Sequence, residues 1–598
     1  MRRLIGCDGG IALRAMAAPR PFALAVSAIC VCVAACDDTT PTTRDAAVEA
    51  SADVTADVSP TCVAGAVSCS EDGRSVRRCE EGGAYTEVTR CDATRAELCA
   101  EGRCVEPCAW AASANSYLGC EFHAAGTLNS ILGRFVSGAS REDFPFAIAL
   151  TNPWPVEVTV TLDGGGLGVT RRETLAAHGN KLVTLPWVRA LVEGGDADNS
   201  VSTLASNGAV RVRASAPVAA YQFNPVGFLS VEGCERERCY AYSNDASLLL
   251  PTASLRSQYM VVTRPTVRVR QRGETRWRHS GGFVAIVGAS DAPTDVVVRL
   301  HARTLAGVNI AAGTVGGEIH QRLSRGDVLQ LVSEHSATCA EPVPDTVRGD
   351  VFCRPVAAED LTGTVVTASA PVAVFAGHDC ALVPNDRYAC DHLEEQMLPT
   401  EALGRRYVIA RTPPVNSEPD LVRVVATRPS TRVTFEPASA HAEVTLASAG
   451  DYVEFEQRES LTVTGSEPVL VAQYLVGGDY DPDHLSSGRG DPDMVLAVPI
   501  DQTRPRYDFV AEPGFPVGTA IATVPQGERL VLDGATVNVS PAHSIAGFDV
   551  YYLPVESGGH TLSSQRGSRF GLVVSGLAAA TSYTYPAGLD LAPISPPL

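Results

Sequence analysis

SAPVAAYQF at residues 215–223, SAPVAVFAG at 369–377 and SEPVLVAQY at 466–474 decide how this chain folds. Each reads Ser-x-Pro-Val and runs on into apolar residues of strand-forming type. About 30 residues after each phrase stands a Leu-Pro or Val-Pro pair, at Pro251, Pro399 and Pro499. Eight residues after each of those prolines stands a tyrosine: Tyr259, Tyr407 and Tyr507. An offset kept three times marks an internal repeat.

Working outward, a strand-like run follows each tyrosine: FVAIVGASDAPTDVVVRL from Phe283, LVRVVATRPSTRVTFE from Leu421 and AIATVPQGERLVLDG from Ala520. FAIALTNPWPVEVTVTL from Phe146 opens the first unit, and Gly-Asp turns recur before strands at Gly326-Asp327 and Gly450-Asp451. The runs are short, rich in Val, Ile, Thr and Tyr, and bounded by Gly, Pro, Asp and Asn, which is strand and turn chemistry. They predict a mainly β chain of tandem β-sandwich-like or propeller-like repeats. Four units are expected, at about 140–265, 280–410, 418–510 and 518–590, the first two carrying insertions. Val296-Val297-Val298 breaks strict alternation and predicts strands buried on both faces. Residues 391–404 read as the best short helix.

The chain has 598 residues, enough for roughly three to five domains, and 45% hydrophobic residues to build their cores. Its net charge is -20, and Lys181 is the single lysine. Such a balance repels phosphate backbones and excludes nucleic acid as a partner class. At the N-terminus, Arg2, Arg3, Arg14 and Arg20 precede the apolar run FALAVSAICVCV, which ends in Val33-Ala34-Ala35-Cys36. This reads as an export signal over 1–35 that resembles a bacterial lipobox, with Cys36 lipidated as the mature N-terminus. An ordinary signal peptide cleaved nearby is the alternative. The expected location is a bacterial cell envelope, facing the periplasm or exterior, with the membrane as a partner through the lipid. Residues 36–60, rich in Thr, Ala and Asp, read as a disordered tether.

Cysteine usage points to an oxidising compartment. Cys62, Cys69, Cys79, Cys91, Cys99 and Cys104 crowd into a small module over 61–108. A segment this short needs staples in place of a core, but its spacing leaves many connectivities open. Zinc is disfavoured by the absence of CxxC and of histidine in the segment. The remaining eight fall into local pairs, Cys108/Cys120, Cys234/Cys239, Cys339/Cys353 and Cys380/Cys390, each expected to close one loop.

Several side-chain groups suit a site. His378-Asp379 and Asp391-His392, with Glu394 and Glu395, flank the Cys380/Cys390 loop, where His and carboxylate could hold zinc or a similar ion. Asp479, Asp481, Asp483, Asp491 and Asp493 form an oxygen-rich loop of the kind calcium favours, without the glycine and terminal glutamate of a calcium loop. Against both stands the plainer reading of solvated loop polarity, so no metal or other cofactor is predicted. Arg489-Gly490-Asp491 spells an adhesion tripeptide of the sort that chance often supplies. RPTVRVRQRGETRWR over 264–278 alternates Val with Arg, placing arginines on one strand face for an anionic polysaccharide or lipid headgroup, or else protecting an edge strand. There is no GxSxG elbow, HExxH, Walker loop or GxGxxG after a strand, and hence no catalytic residue to name.

YLGCEF (117–122), FAIALTNP, SAPVAAYQFNP, SNDASLLLP (243–251), GHDCALVP (377–384), ACDHLEEQMLP (389–399), GDPDMVLAVP and SGLAAATSYTYPAGLDL together resemble the IgGFc-binding protein N-terminal domain family over about 115–590. The resemblance implies a large β-rich secreted region without attributed catalytic residues. The family is named for a mucosal protein that binds the Fc part of immunoglobulin G, and the name carries over as homology. The function expected is a non-enzymatic surface lipoprotein that binds a protein or glycan partner, as in adhesion. The alternatives are an extracellular carbohydrate-active enzyme using an acidic pair and a structural envelope or matrix protein.

Overall fold

The Ser-x-Pro-Val phrases sit where the chain leaves one β-sheet and enters another. In the strand Val210–Phe223, residues up to Ala214 pair with Val158–Gly164, and residues from Ala219 pair with Phe146–Thr151 in a different sheet. The strand Val365–Leu382 does the same, passing from Thr294–Arg299 to Gly282–Gly288 on either side of Pro371. At the third phrase the chain breaks into two strands, Leu461–Gly465 and Val469–Leu475. Proline has no N–H to donate, so it fits the point between two ladders. The rest of the phrase satisfies the corner. The Ser215, Ser369 and Ser466 hydroxyls accept the backbone N–H of Thr159, Asp295 and Arg432 at 2.9–3.0 Å. The carbonyls of Pro217, Pro371 and Pro468 accept from Trp154 Nε1, Ser290 Oγ and Thr427 Oγ1.

The tyrosine offset has its cause at the same corner. Each Leu-Pro or Val-Pro proline precedes a single 3-10 turn: Thr252–Ser254, Thr400–Ala402 and Ile500–Gln502. The next strand then carries the buried tyrosine. Its hydroxyl accepts the backbone N–H three residues upstream, from Arg256, Gly404 and Arg504 (2.8–3.1 Å), and donates to the carbonyl of Val372, Val469 and Phe570 (2.5–2.7 Å). Phe122 takes the corresponding place in the first strand of the first sandwich.

This computed structural model describes residues 62–132, 141–193, 195–196, 199–227, 241, 243–345, 348–413, 418–478, 480, 490–578 and 580–598. The architecture is four β-sandwiches of one topology, and the third shows it most plainly. Its strands are Arg406–Ile409, Asp420–Ala426, Thr431–Glu436, Val444–Leu446, Tyr452–Gln457, Leu461–Gly465, Val469–Leu475 and Asp493–Leu496. One sheet runs first-sixth-third-fourth and the other fifth-second-seventh-eighth. The fourth sandwich, Arg506–Ala511 to Thr581–Pro586, repeats that order, with His543–Ile545 added at one edge. In the first (Gly119–Ala124 to Ala246–Leu248) and second (Arg256–Met260 to Cys390–Gln396), the sixth and seventh strands are one long bent strand. Each tyrosine strand therefore opens the sandwich that follows it. The two Gly-Asp turns share one build: Gly326 and Gly450 adopt φ of 83° and 91°, and Asp327 and Asp451 accept the N–H of Ser324 and Ser448.

Ahead of the sandwiches, three strands (Val67–Cys69, Ser75–Cys79, Tyr85–Arg90) and a hairpin (Leu98–Ala100, Arg103–Val105) form the cysteine-rich module. Its bridges are Cys62–Cys79, Cys69–Cys99 and Cys91–Cys104. Cys108–Cys120, Cys339–Cys353 and Cys380–Cys390 close local loops. Cys36, the tether, Cys234 and Cys239 lie outside the described residues.

Two local expectations need correction. Residues 391–404 hold no α-helix: Cys390–Gln396 is a strand buried along nearly its whole length, and only Thr400–Ala402 makes a 3-10 turn. Asp391, Glu394 and Glu395 are buried, and ladder pairing with Phe375–Leu382 overrides local preference. The longer of the two α-helices among the described residues, α1 (Pro107–Ala114), starts with proline in its first turn and is capped by the Glu106 carboxylate, which accepts the N–H of Cys108 and Ala109. Thr294–Arg299, expected to be buried on both faces, alternates: Val296 and Val298 are buried while Val297 is half-exposed.

Replacing Tyr407 by Phe would leave the Gly404 N–H and the Val469 carbonyl short of a buried partner. The expected loss is about 1–3 kcal/mol, read as a lower midpoint in scanning calorimetry, with Tyr259→Phe and Tyr507→Phe behaving alike.

Candidate functional site

The last strands of the four sandwiches meet. β1 (Ala246–Leu248) packs against β2 (Cys390–Gln396) and β4 (Thr581–Pro586), and β3 (Asp493–Leu496) packs against the same two, closing a ring of four. The phrases SNDASLLLP, ACDHLEEQMLP, GDPDMVLAVP and SGLAAATSYTYPAGLDL supply these strands. Aromatic packing seals the join between first and last sandwich: the Tyr221 and Tyr585 ring centroids lie 4.8 Å apart, and the Tyr221 hydroxyl donates to Ala587 O at 2.6 Å.

Carboxyl groups collect at this ring. Asp245, Asp391, Glu394, Glu395, Asp491 and Asp493 are each no more than 2% exposed. Among the described residues, no arginine or lysine forms an ion pair with Asp245, Asp391, Glu394, Glu395 or Asp493. Glu394 is satisfied by neutral donors from the first sandwich. Gln222 Nε2 donates to both its oxygens at 2.7 Å, Asn224 Nδ2 at 3.0 Å, Thr127 Oγ1 at 3.2 Å and Ser247 Oγ at 2.5 Å. Asp245 accepts the N–H of Ala246 and Glu394. Asp493 lies against the Asp245 carboxyl and Thr584, yet neither of its oxygens receives a well-formed hydrogen bond from the described residues.

Burial first, and neighbouring carboxyls second, push Asp245, Asp391 and Glu395 well above the usual carboxylate range. Burial raises Asp493 to about 7 and Glu512, which accepts the Gly227 N–H close by, to about 8. Two buried carboxyls facing each other without a cation cannot both ionise; a shared proton turns the repulsion into a hydrogen bond. The facing Asp245 and Asp493 carboxyls are therefore held together by a shared proton.

The histidines proposed as metal ligands are turned to structural use. The Cys380 N–H donates to His378 Nδ1 (3.1 Å), and His378 Nε2 reaches Pro265 O (3.2 Å). His392 Nε2 lies 3.1 Å from Asn224 Nδ2. Burial above all lowers both rings to about 3, so both are neutral. Among the described residues, no group of three or more His, Cys, Asp or Glu has a geometry that would hold a metal ion. Asp479, Asp481, Asp483 and Arg489 lie outside the described residues, and Asp491, the last residue of the adhesion tripeptide, is buried.

The basic stretch is divided: Arg264 and Arg268 are buried, whereas Arg272, Arg276 and Arg278 are exposed. Val267–Arg270 is an inner strand between Arg278–Ser280 and Val351–Cys353. Arg268 is buried and pairs with Glu359 at 3.1 Å. Arg264 is buried against Glu454 and the face of Tyr474. It belongs to a clamp between the second and third sandwiches. Arg423 donates to Thr263 O, Asp360 Oδ2 and Thr362 Oγ1, each at 2.8 Å, and to Glu454 at 2.9 Å. Burial alone would raise Asp360 and Glu454, but the guanidinium groups outweigh it and hold both below the ordinary range.

The third and fourth sandwiches enclose a cavity of about 50 Å³ whose lining includes Ile409, Thr412, Gln473, Val495, Ile521 and Leu572. At its edge the buried Asp420 carboxylate accepts from Thr412 Oγ1 (2.6 Å), Thr412 N (2.8 Å) and Gln473 Nε2 (2.7 Å). Sequence reading missed this group and Glu512, because isolated polar residues inside strand-like runs carry no motif.

A family model described as "IgGFc binding protein" matches residues 245–576. The human IgGFc-binding protein is 29% identical over 356 residues, which is 59% of this chain but 6% of that protein. The chain thus matches a small part of a much longer relative. No solved structure matches.

A proton kept by folded Asp493 up to about pH 7, and released by the unfolded chain near 3.8, makes stability fall as pH rises through that window. The slope is about 1.4 kcal/mol per pH unit for one proton. Urea titrations at pH 5 and 8 are expected to show the higher stability at pH 5, and Asp493→Asn is expected to shrink the difference.

Proposed function

We propose that this chain, which belongs to the IgGFc-binding protein family, is an extracellular binding protein anchored to a bacterial cell envelope and presenting its ring of sandwiches to a protein or glycan partner in adhesion. The family is one of binding proteins, not of enzymes. The observation that carries the reading is the closed ring: its acids lie at most 2% exposed, where no substrate reaches them. A glycosidase needs two carboxyls flanking a sugar in an open cleft. What the ring offers instead is a set of rigid sandwiches with loops and outer sheet faces turned to solvent, the usual seat of recognition on such scaffolds. Six disulfides among the described residues support an oxidising, extracellular setting.

The anchor reading rests on Val33-Ala34-Ala35-Cys36. Cys36→Ala is expected to move the chain from the membrane fraction to the soluble fraction, and an unchanged distribution would count against lipidation. For the partner, the full chain without its export signal is to be presented to a glycan array, an extracellular protein array and immobilised immunoglobulin G Fc. Saturable binding at micromolar concentration is expected on one of them. Silence on all three, with self-assembly in solution, would favour a structural envelope role instead.

A further inference from the structure

We propose that Thr412 and Gln473 become joined by an ester bond, an internal staple of the third sandwich formed by attack of Thr412 Oγ1 on Gln473 Cδ with loss of ammonia. The geometry is that of a proton relay already assembled. One carboxylate, Asp420, touches the nucleophile at one oxygen (Oδ1 to Thr412 Oγ1, 2.6 Å) and the leaving group at the other (Oδ2 to Gln473 Nε2, 2.7 Å). Oδ1 takes the hydroxyl proton as the Oγ1–Cδ bond forms. The same carboxyl returns a proton to Nε2 as the Cδ–Nε2 bond breaks. The products are an ester and NH3, and Asp420 ends ionised, as it began. No oxidant, metal or cofactor enters the balance.

Three features prepare the reaction. The partners are fixed: Gln473 Nε2 also donates to Ala410 O at 2.9 Å, and the Thr412 N–H holds Asp420 Oδ2 at 2.8 Å. Burial raises Asp420 to about 6, moderated by its bonds from Thr412 and Gln473, which places it where one group serves as base and then as acid. Thr412, Asp420 and Gln473 are all buried, and Thr412 and Gln473 line the cavity beside the apolar side chains of Val495, Ile521 and Leu572.

The repeat produces this meeting twice. Gln222 stands at the same place in its Ser-x-Pro-Val phrase as Gln473, and Thr127 follows Ala125 as Thr412 follows Ala410. Gln222 Nε2 donates to Ala125 O, and Glu394 of the second sandwich supplies the carboxylate. There the hydroxyl is 3.2 Å from the acid and also accepts the Asn224 amide at 2.5 Å. The shorter, undivided contact singles out Thr412.

Peptide mapping by mass spectrometry of the denatured full chain tests the proposal. A linked pair of peptides containing Thr412 and Gln473 is expected, lighter than the two together by one ammonia and opened by hydroxylamine. Thr412→Ser is expected to keep the link, while Thr412→Val and Asp420→Asn lose it. If Asp420→Asn does not fold, the serine and valine variants still separate a reacting hydroxyl from a packing role. Unlinked peptides carrying unmodified Thr412 and Gln473, or Gln473 found as free glutamate, would overturn the assignment.

Discussion

Everything in the four sandwiches hangs on the point where the chain changes sheets. A strand that leaves one ladder and enters another passes through a residue whose N–H has no partner in either. Proline at 217, 371 and 468 removes that donor. The preceding serine hydroxyl takes an N–H of the third strand, and a tyrosine hydroxyl from the first strand takes the carbonyl just beyond the corner. The first, third and seventh strands are thereby tied at one place. The two sheets of a sandwich cannot slide past each other without breaking buried hydrogen bonds, each of which is costly to leave unmade. The fourth sandwich keeps the tyrosine but crosses by a longer loop before Phe570 without the proline, whereas the first keeps the proline and has Phe122 in the tyrosine's place, so the two halves of the device occur together only in the second and third sandwiches.

With each sandwich fixed internally, its last strand is free to serve the whole. β1 to β4 meet around one centre, and the polar groups there resolve their burial differently from those at the clamp between the second and third sandwiches. At the clamp, Arg423 and Arg264 face Asp360 and Glu454, and charge is buried as matched pairs. Such pairs stabilise only when geometry and hydrogen bonding are complete, and Arg423 makes four donations to meet that condition. At the ring, among the described residues, no arginine or lysine pairs with Asp245, Asp391, Glu395 or Asp493, and burial raises these carboxyls so that protonation relieves the desolvation cost. One junction thus holds by ion pairing and the other by neutral carboxyls, so acid strengthens the second while weakening the first.

The sequence carried the repeat in a form that physical reasoning could read, because the corner demands particular residues at fixed spacing: serine, proline and a tyrosine eight positions beyond a second proline. The local disulfide spacing was readable for a similar reason, since loop closure acts over short distances. The ring of acids was not. Glu394 and Glu395 read as metal ligands or solvated loop polarity until β3 and β4, about 100 and 190 residues further on, pack beside them. The same holds for Arg264 and Arg268, whose alternation with valine signalled an arginine face, whereas their partners Glu454 and Glu359 come from elsewhere in the chain. Local pattern specifies strands, but whether a charge points to water depends on neighbours distant in sequence.

Where the charges end up also narrows what the surface is suited to meet. The chain carries a net charge of -20 with 48 basic residues against 68 acidic ones. Much of the basic minority is spent within the protein. Arg171 and Lys181 share Glu173, Arg211 meets Glu121, Arg213 meets Asp163, and Arg504 and Arg569 both meet Asp590. The ring removes six carboxyls from the surface, yet the remaining field is still negative. A field of that sign slows approach of sulfated or phosphorylated polymers and favours neutral sugars or basic protein faces. The arginine-rich stretch had suggested an anionic polysaccharide. With Arg264 and Arg268 buried in internal pairs, only Arg272, Arg276 and Arg278 of that stretch are left exposed against the negative field of the whole chain.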